Sequence, residues 1–120
     1  MKIAVSSTGK NLEATLDARF GRAAYFVVVD PDTLTFEAVE NKQNLNLPQG
    51  AGIQAAKTVL QHNADALITG NCGPKAFKVL EAAGIKVYVG VSGRVRDIVD
   101  QFKKGVLSES SEPNVEGHWV

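Results

Sequence analysis

A chain of 120 residues with 44% apolar side chains is long enough for one domain with its own core, and its 13 basic and 13 acidic groups leave no net charge at pH 7. That balance excludes a global attraction to nucleic acid or to an anionic membrane, so any charge-driven function has to be local. A single cysteine excludes an internal disulfide, no apolar run reaches membrane-spanning length, and the chain opens on Lys2-Ile3-Ala4-Val5 without a signal-peptide pattern, so the expected compartment is the reducing cytoplasm.

Lys2 to Ser6 reads as the first strand, and Tyr25 to Val29, apolar throughout, as a second with a central place in a sheet. The loop between them, Ser7 to Arg22, mixes Ser7, Thr8 and Gly9 with Lys10, Arg19 and Arg22, and Leu12 and Leu16 are expected to pin a short helical turn within it. Asp30-Pro31-Asp32-Thr33 has the acid and proline placement of a tight turn, which sends Leu34 to Val39 back antiparallel as a third strand. A polar stretch rich in Asn and Gln follows Asn41 and ends in Leu47-Pro48-Gln49-Gly50-Ala51-Gly52. It leads into a helix whose Ile53, Ala56, Val59 and Leu60 share one face and which Asn63 stops in a left-handed conformation.

Ala66, Leu67 and Ile68 form a short apolar run without polar alternation, as in a strand covered on both faces, and Gly70 ends it. Pro74 opens the second helix at the position where a missing N–H costs nothing, with Gly73 as its cap. Phe77, Leu80 and Ala83 give that helix an apolar face, Gly84 with Ile85 has the form of a glycine C-terminal cap, and Ile85 to Val89 is the fifth strand. Ser92 is expected to cap a third helix, in which Val95, Ile98, Val99 and Phe102 recur at helical spacing, Lys103 and Lys104 suit the negative end, and Gly105 stops the run. The regular domain is thus expected over residues 1–107. Residues 108–120 contain Ser, Glu and Pro without periodicity and read as a mobile tail that carries His118 and Trp119.

The element order predicts an α/β fold: one mixed five-stranded sheet in the order 3-2-1-4-5, with only strand 2 antiparallel and helices on both faces. In that geometry the carboxyl ends of the parallel strands and all three helix N-termini meet at one edge. That edge gathers Ser6 to Lys10, Arg22, Asn41 to Gly52, Asn71 to Gly73 and Gly90 to Arg94, a glycine-rich rim with a positive bias suited to an anion. Cofactor contacts are expected at Cys72, Gly73, Asn71, Lys75, Arg22, Gly93, Arg94, Ser7 and Gly9. One helix terminus contributes only about 0.3–1 kcal/mol toward a nearby negative charge, so several must act together. Cys72, just ahead of the second helix with Lys75 and Lys78 nearby, is expected to be partly accessible and to lean toward thiolate, the form that binds soft metals. His118 becomes a second candidate metal ligand if the tail folds over the rim. His62 is read as a surface or capping residue, Asp17 as the partner of a nearby arginine, and Asp30 with Asp32 as a turn pair.

The chain resembles the dinitrogenase iron-molybdenum cofactor biosynthesis family over nearly the whole domain. The residues that carry the resemblance are Asp17-Ala18-Arg19-Phe20-Gly21-Arg22-Ala23-Ala24-Tyr25-Phe26, Gly73-Pro74-Lys75-Ala76-Phe77, Ala83-Gly84-Ile85 and Val91-Ser92-Gly93-Arg94-Val95-Arg96-Asp97. It implies a ribonuclease H-like fold and a non-enzymatic role in binding, storing or delivering an iron–sulfur or iron–molybdenum cluster during metallocofactor assembly; small stand-alone members resemble the nitrogen-fixation proteins without belonging to a nitrogenase pathway, so the resemblance leaves the cluster and the pathway open. The implied partners are the cluster and its donor and acceptor proteins, with the chain a monomer or weak homo-oligomer. A closed iron–sulfur site usually takes four thiolates, so with one cysteine and two histidines any cluster must bring its own sulfides or be shared between subunits. Two other functions compete. A small-anion or nucleotide module could use the same helix termini, although no Gly-x-x-x-x-Gly-Lys or Gly-x-Gly-x-x-Gly run follows a strand. A metal-dependent nuclease would need carboxylates where strand one ends in Ser6 and strand four in Thr69-Gly70-Asn71.

Overall fold

The computed structural model describes residues 1–41 and 50–114. Its elements run β1 (Ile3–Ser7), β2 (Tyr25–Val29), β3 (Phe36–Glu40), α1 (Ala51–Gln61), β4 (Ala66–Ile68), α2 (Pro74–Ala82), β5 (Lys86–Tyr88) and α3 (Val95–Lys103). The strands form one sheet in the order β3-β2-β1-β4-β5. β2 is antiparallel to both its neighbours, while β1, β4 and β5 run parallel. Element order, strand order and strand direction are those read from the sequence.

The uninterrupted apolar runs follow from cover on both faces of the sheet. On one face Ala4, Phe26, Val28 and Leu67 meet Ala55, Ala56 and Val59 of α1 and Phe77 and Leu80 of α2. On the other, Ile3, Val5, Val27, Val29 and Ile68 meet Val95, Ile98 and Val99 of α3, with Leu12 and Leu16 filling the same layer. The helix stops are also as expected: Asn63, Gly84 and Gly105 have φ of 58°, 79° and 73°. At Gly84 the N–H donates to Glu81 O at 2.9 Å and that of Ile85 to Leu80 O at 3.0 Å, the paired bonds of a glycine cap.

Three expectations are corrected. Leu12 and Leu16 are buried as pins, but their segment is no helical turn; it makes isolated bridges between Ser7 and Leu16, Thr15 and Arg94, and Arg19 and Asn71. Ser92 does not cap α3, whose N-cap is Arg94 with no side-chain cap bond. The N–H groups of Val95 and Arg96 donate instead to Ala14 O and Leu12 O, at 2.9 and 2.8 Å, so loop carbonyls replace the cap. Residues 108–114 are not a free tail. Ser110 N–H donates to Val87 O at 2.8 Å, and its Oγ accepts from Val89 N–H at 3.1 Å. β5 is an edge strand with unpaired backbone groups, and a polar segment can satisfy them without any apolar periodicity of its own. His118, Trp119 and the polar stretch 42–49 lie outside the described residues. No helix among the described residues is long and apolar enough to cross a membrane.

Candidate functional site

The loop that joins β1 to β2 folds across the carboxyl ends of the parallel strands. Asp17 N–H donates to Ser6 O at 2.8 Å, Asn71 N–H to Ala18 O at 2.7 Å and Leu16 N–H to Gly93 O at 2.8 Å, so the loop is stitched to β1, to the end of β4 and to the turn before α3. Glycine is required beneath it: a Cβ on Gly70 would lie 2.8 Å from Ala18 Cα. Ser6 Oγ sits 2.7 Å from Asp17 O and 2.8 Å from Thr69 Oγ1. Since a carbonyl only accepts, Ser6 donates to Asp17 and takes its second bond from the Thr69 hydroxyl. Both residues are fully buried, so the strand ends present committed hydroxyls where phosphodiester hydrolysis by metal ions would need carboxylates. Among the described residues, no group of three His, Cys, Asp or Glu side chains could hold a metal ion.

Two of the three helix starts lie side by side. α1 begins after Gly50 and α2 after Gly73; among the described residues neither has a side-chain cap, and neither has an acid in its first turn. A Cβ on Gly52 would approach Ala76 Cβ to 3.1 Å, and one on Gly21 would come within 2.8 Å of Gly52 N, so the loop, α1 and α2 meet with only glycine between them. The start of α3 differs, because Asp97 occupies its first turn. Arg94 there donates from Nη1 to Glu13 Oε2 at 2.9 Å and reaches both Asp97 oxygens at 3.3 Å, and Arg96 Nε reaches Glu13 Oε1 at 2.6 Å. The bond and charge of Asp97, then Glu13, raise the Arg94 pKa above its ordinary value.

The candidate residues therefore separate. Arg94, expected among the cofactor contacts, is a member of an exposed ion-pair cluster with Glu13 and Asp97. Cys72 is corrected: it is 0% exposed within the α1/α2 core, its Sγ lies 3.6 Å from Gly73 O, and burial pushes the thiol pKa up to about 12. Desolvation outweighs the nearby helix start, so the fold holds a neutral thiol. Ser7 is buried, donating to Gly9 O at 2.8 Å and accepting from Gly9 N–H at 3.2 Å, and Gly9 leaves room for Ala14, whose Cβ a Gly9 side chain would meet at 3.0 Å. Gly93 is exposed with φ 115°. Asn71 is half-buried at the end of β4, Gly73 is the buried N-cap of α2, and Lys75 is exposed in the first turn of α2. Arg22 is half-buried beside Gly21. Asp17 pairs with no arginine side chain among the described residues; its Oδ1 accepts from Arg19 N–H at 3.1 Å. Asp30 Oδ1 takes the N–H groups of Asp32 and Thr33, at 2.8 and 3.3 Å, which hold its carboxyl below the usual range. His62 is the C-cap of α1, with Nδ1 3.2 Å from Glu37.

The family model described as dinitrogenase iron-molybdenum cofactor matches residues 1–105. The chain belongs to that family. A solved relative of this family member, the apo form of the orange protein from Desulfovibrio gigas, is 45% identical over 95% of this chain and 96% of that one, with a TM-score of 0.91. A Thermotoga protein described as a putative NifB protein is 33% identical over 97% of this chain and 98% of its own, with a TM-score of 0.77. An uncharacterised protein of Methanocaldococcus jannaschii is 29% identical over 78% of this chain and 81% of its own length.

Two residues at the edge of this family member escaped the site list drawn from sequence. Arg19 bridges to Asn71 and, like Arg22 and Lys75, has no ion-pair partner among the described residues. Its place inside the Asp17-to-Phe26 stretch that carries the family resemblance could have marked it. Asn114 bonds the loop ahead of α2 from 42 residues away, and no local pattern announces that contact.

Proposed function

We propose that this protein holds an anionic metal cluster of the iron–sulfur or iron–molybdenum type at the α1/α2 corner, by charge and backbone N–H groups rather than by protein ligation, and serves as a non-enzymatic accessory in cofactor assembly. The observation that carries the reading is the juxtaposition of two acid-free helix starts with cations that lack carboxylate partners among the described residues: Arg19, Arg22 and Lys75. Lys10, with Nζ 5.5 Å from the Tyr25 ring centroid, adds charge at the start of β2. Family membership supports a cofactor. So does a relative solved as an apo form and named for a colour, since an apo form has something to lose and a visible colour needs a chromophore.

A cluster ligated by the described side chains does not fit, because Cys72 is buried and no set of three donors converges. A cluster that carries its own sulfides does fit an edge of N–H groups and guanidinium ions. Each helix start supplies only about 0.3–1 kcal/mol, and exposed charges are screened over roughly 8 Å at physiological ionic strength, so retention is modest and falls with salt. Loose holding suits transfer between a donor and an acceptor protein, and the chain acts in that role as a monomer or weak homo-oligomer in a reducing cytoplasm.

The test is anaerobic reconstitution with iron and sulfide, or with a preformed cluster, followed by desalting, visible absorption and metal analysis. The parent should retain colour and metal at low salt and lose both at high salt. An Arg19→Ala/Arg22→Ala double variant, shown by circular dichroism to be folded, should retain several-fold less. Absence of metal uptake by the parent would turn the reading toward a simple anion, which the withdrawn Cys72 thiol also suits, and phosphate titration followed by amide shifts at the α1 and α2 starts would then show binding.

A further inference from the structure

The segment 108–114 has no place in the cores, yet it closes one side of the candidate site. Ser110 fastens it to the outer edge of β5 through Val87 and Val89. At its end Asn114 uses both ends of its amide on the loop ahead of α2. Its Oδ1 accepts the Cys72 N–H at 2.9 Å, while Nδ2 donates to Gly70 O at 3.0 Å and to Asn71 Oδ1 at 3.2 Å; its own N–H donates to Cys72 O at 3.3 Å. Among side chains only a carboxamide offers an acceptor and two donors in this arrangement. Asn114 is exposed, whereas the Cys72 side chain is fully buried in the α1/α2 core. The strap is not packed tightly against the helix it crosses: a cleft of about 310 Å³ separates Ser111, Glu112 and Pro113 from Pro74, Phe77 and Lys78 of α2.

We propose that residues 108–114 are a releasable strap with Asn114 as its latch, which holds the backbone of the 70–73 loop so that the Cys72 side chain stays in the α1/α2 core and, when released, lets that loop swing out, bringing the thiol to solvent and freeing the Cys72 N–H beside the start of α2. A segment fixed by a few peripheral hydrogen bonds over a cleft opens at a small fraction of the free energy of global unfolding, so release withdraws Cys72 from the margin of the α1/α2 core and leaves the sheet and the rest of both cores intact. The consequence for a bound cofactor, that the strap controls entry to the α2 side of the site, rests on the function proposed above; the latch itself does not.

The test uses the full chain without cofactor. Cys72 is the only cysteine, so iodoacetamide labelling reports on it alone. The parent should label slowly. Asn114→Ala should label on the order of tenfold faster, the factor that about 1.4 kcal/mol of lost latch corresponds to. Its melting transition should be unchanged, and its labelling rate nearly independent of dilute urea, because a local opening exposes little surface. Asn114→Asp, which sets a carboxylate against Gly70 O and Asn71 Oδ1, should label at least as fast. A rate in Asn114→Ala equal to the parent's would overturn the latch, and so would an acceleration that rises steeply with urea in step with global unfolding. If either variant folds poorly, hydrogen exchange in the parent decides: the Cys72 amide should exchange faster than amides of β1 and β4, and exchange only through global unfolding counts against the strap. Cluster retention plays no part in these readouts, so the latch and the proposed function can fail separately.

Discussion

The starts of α1 and α2 and the start of α3 lie at one edge of the sheet and look alike in sequence, each preceded by a glycine, Gly50, Gly73 or Gly93, yet they differ in chemistry. At α3 the first N–H groups are taken by Ala14 O and Leu12 O, an acid stands in the first turn, and Arg94 is held between Asp97 and Glu13. Among the described residues, α1 and α2 have no side-chain cap and no acid in the first turn. A helix start favours an anion only where the rest of the chain leaves its charge uncompensated. The β1–β2 loop makes the choice: it closes over α3 and brings glycine, Arg19 and Arg22 to the other two.

The comparison breaks hardest where that loop is pinned. Leu16 is 6% exposed, in the same apolar layer as α3. Leu16→Ala should cost about 2–5 kcal/mol, seen as a large fall in urea midpoint, and should raise hydrogen exchange at Val95 and Arg96 as their carbonyl partners loosen. Gly21→Ala attacks the other side. Its methyl would lie 2.8 Å from Gly52 N and 3.0 Å from Ala51 C, backbone atoms that cannot swing away, so about 1–3 kcal/mol should be lost, with amide shifts centred on the start of α1 rather than α3.

The neutral thiol ahead of α2 gives a pH test. Its pKa rises from an ordinary 9.0 to about 12 in the fold, so the unfolded chain releases the proton first. This contribution to stability is whole below about pH 9 and is lost as the pH climbs toward 12. The parent should lose up to about 1.4 kcal/mol per pH unit in that window, and Cys72→Ala should show a shallower alkaline slope in urea titrations at pH 8, 9 and 10. Equal slopes would mean that the thiol reaches solvent in the folded state.

Most of the fold was legible because its signals are local. Phe26-Val27-Val28-Val29 and Ala66-Leu67-Ile68 are runs that must be covered on both faces, and Pro74, Asn63, Gly84 and Gly105 mark helix ends where each stands. The edge itself was legible as topology. Its details were not, because they come from distant parts of the chain. Arg94 is neutralised by Glu13, 81 residues away. Cys72 reads from its neighbours as a thiol beside a helix dipole, and only its packing into the α1/α2 core makes it a buried one. The strap over β5 answers unpaired edge groups rather than any pattern in residues 108–114.

The smallest effect sharpens the comparison most. Glu13→Gln keeps the shape of the side chain and removes the charge shared by Arg94 at 2.9 Å and Arg96 at 2.6 Å. These groups are about half exposed, so stability should change by less than about 1 kcal/mol, and by less still in high salt. Cluster retention should not change. Arg94 still has Asp97, and the N–H groups of Val95 and Arg96 remain on the carbonyls of Ala14 and Leu12, so freeing one guanidinium bond creates no anion site at α3. Tighter retention by Glu13→Gln would show that Arg94 and the α3 start take part in holding the cluster, and the division of the edge into one closed and two open helix starts would have to be abandoned.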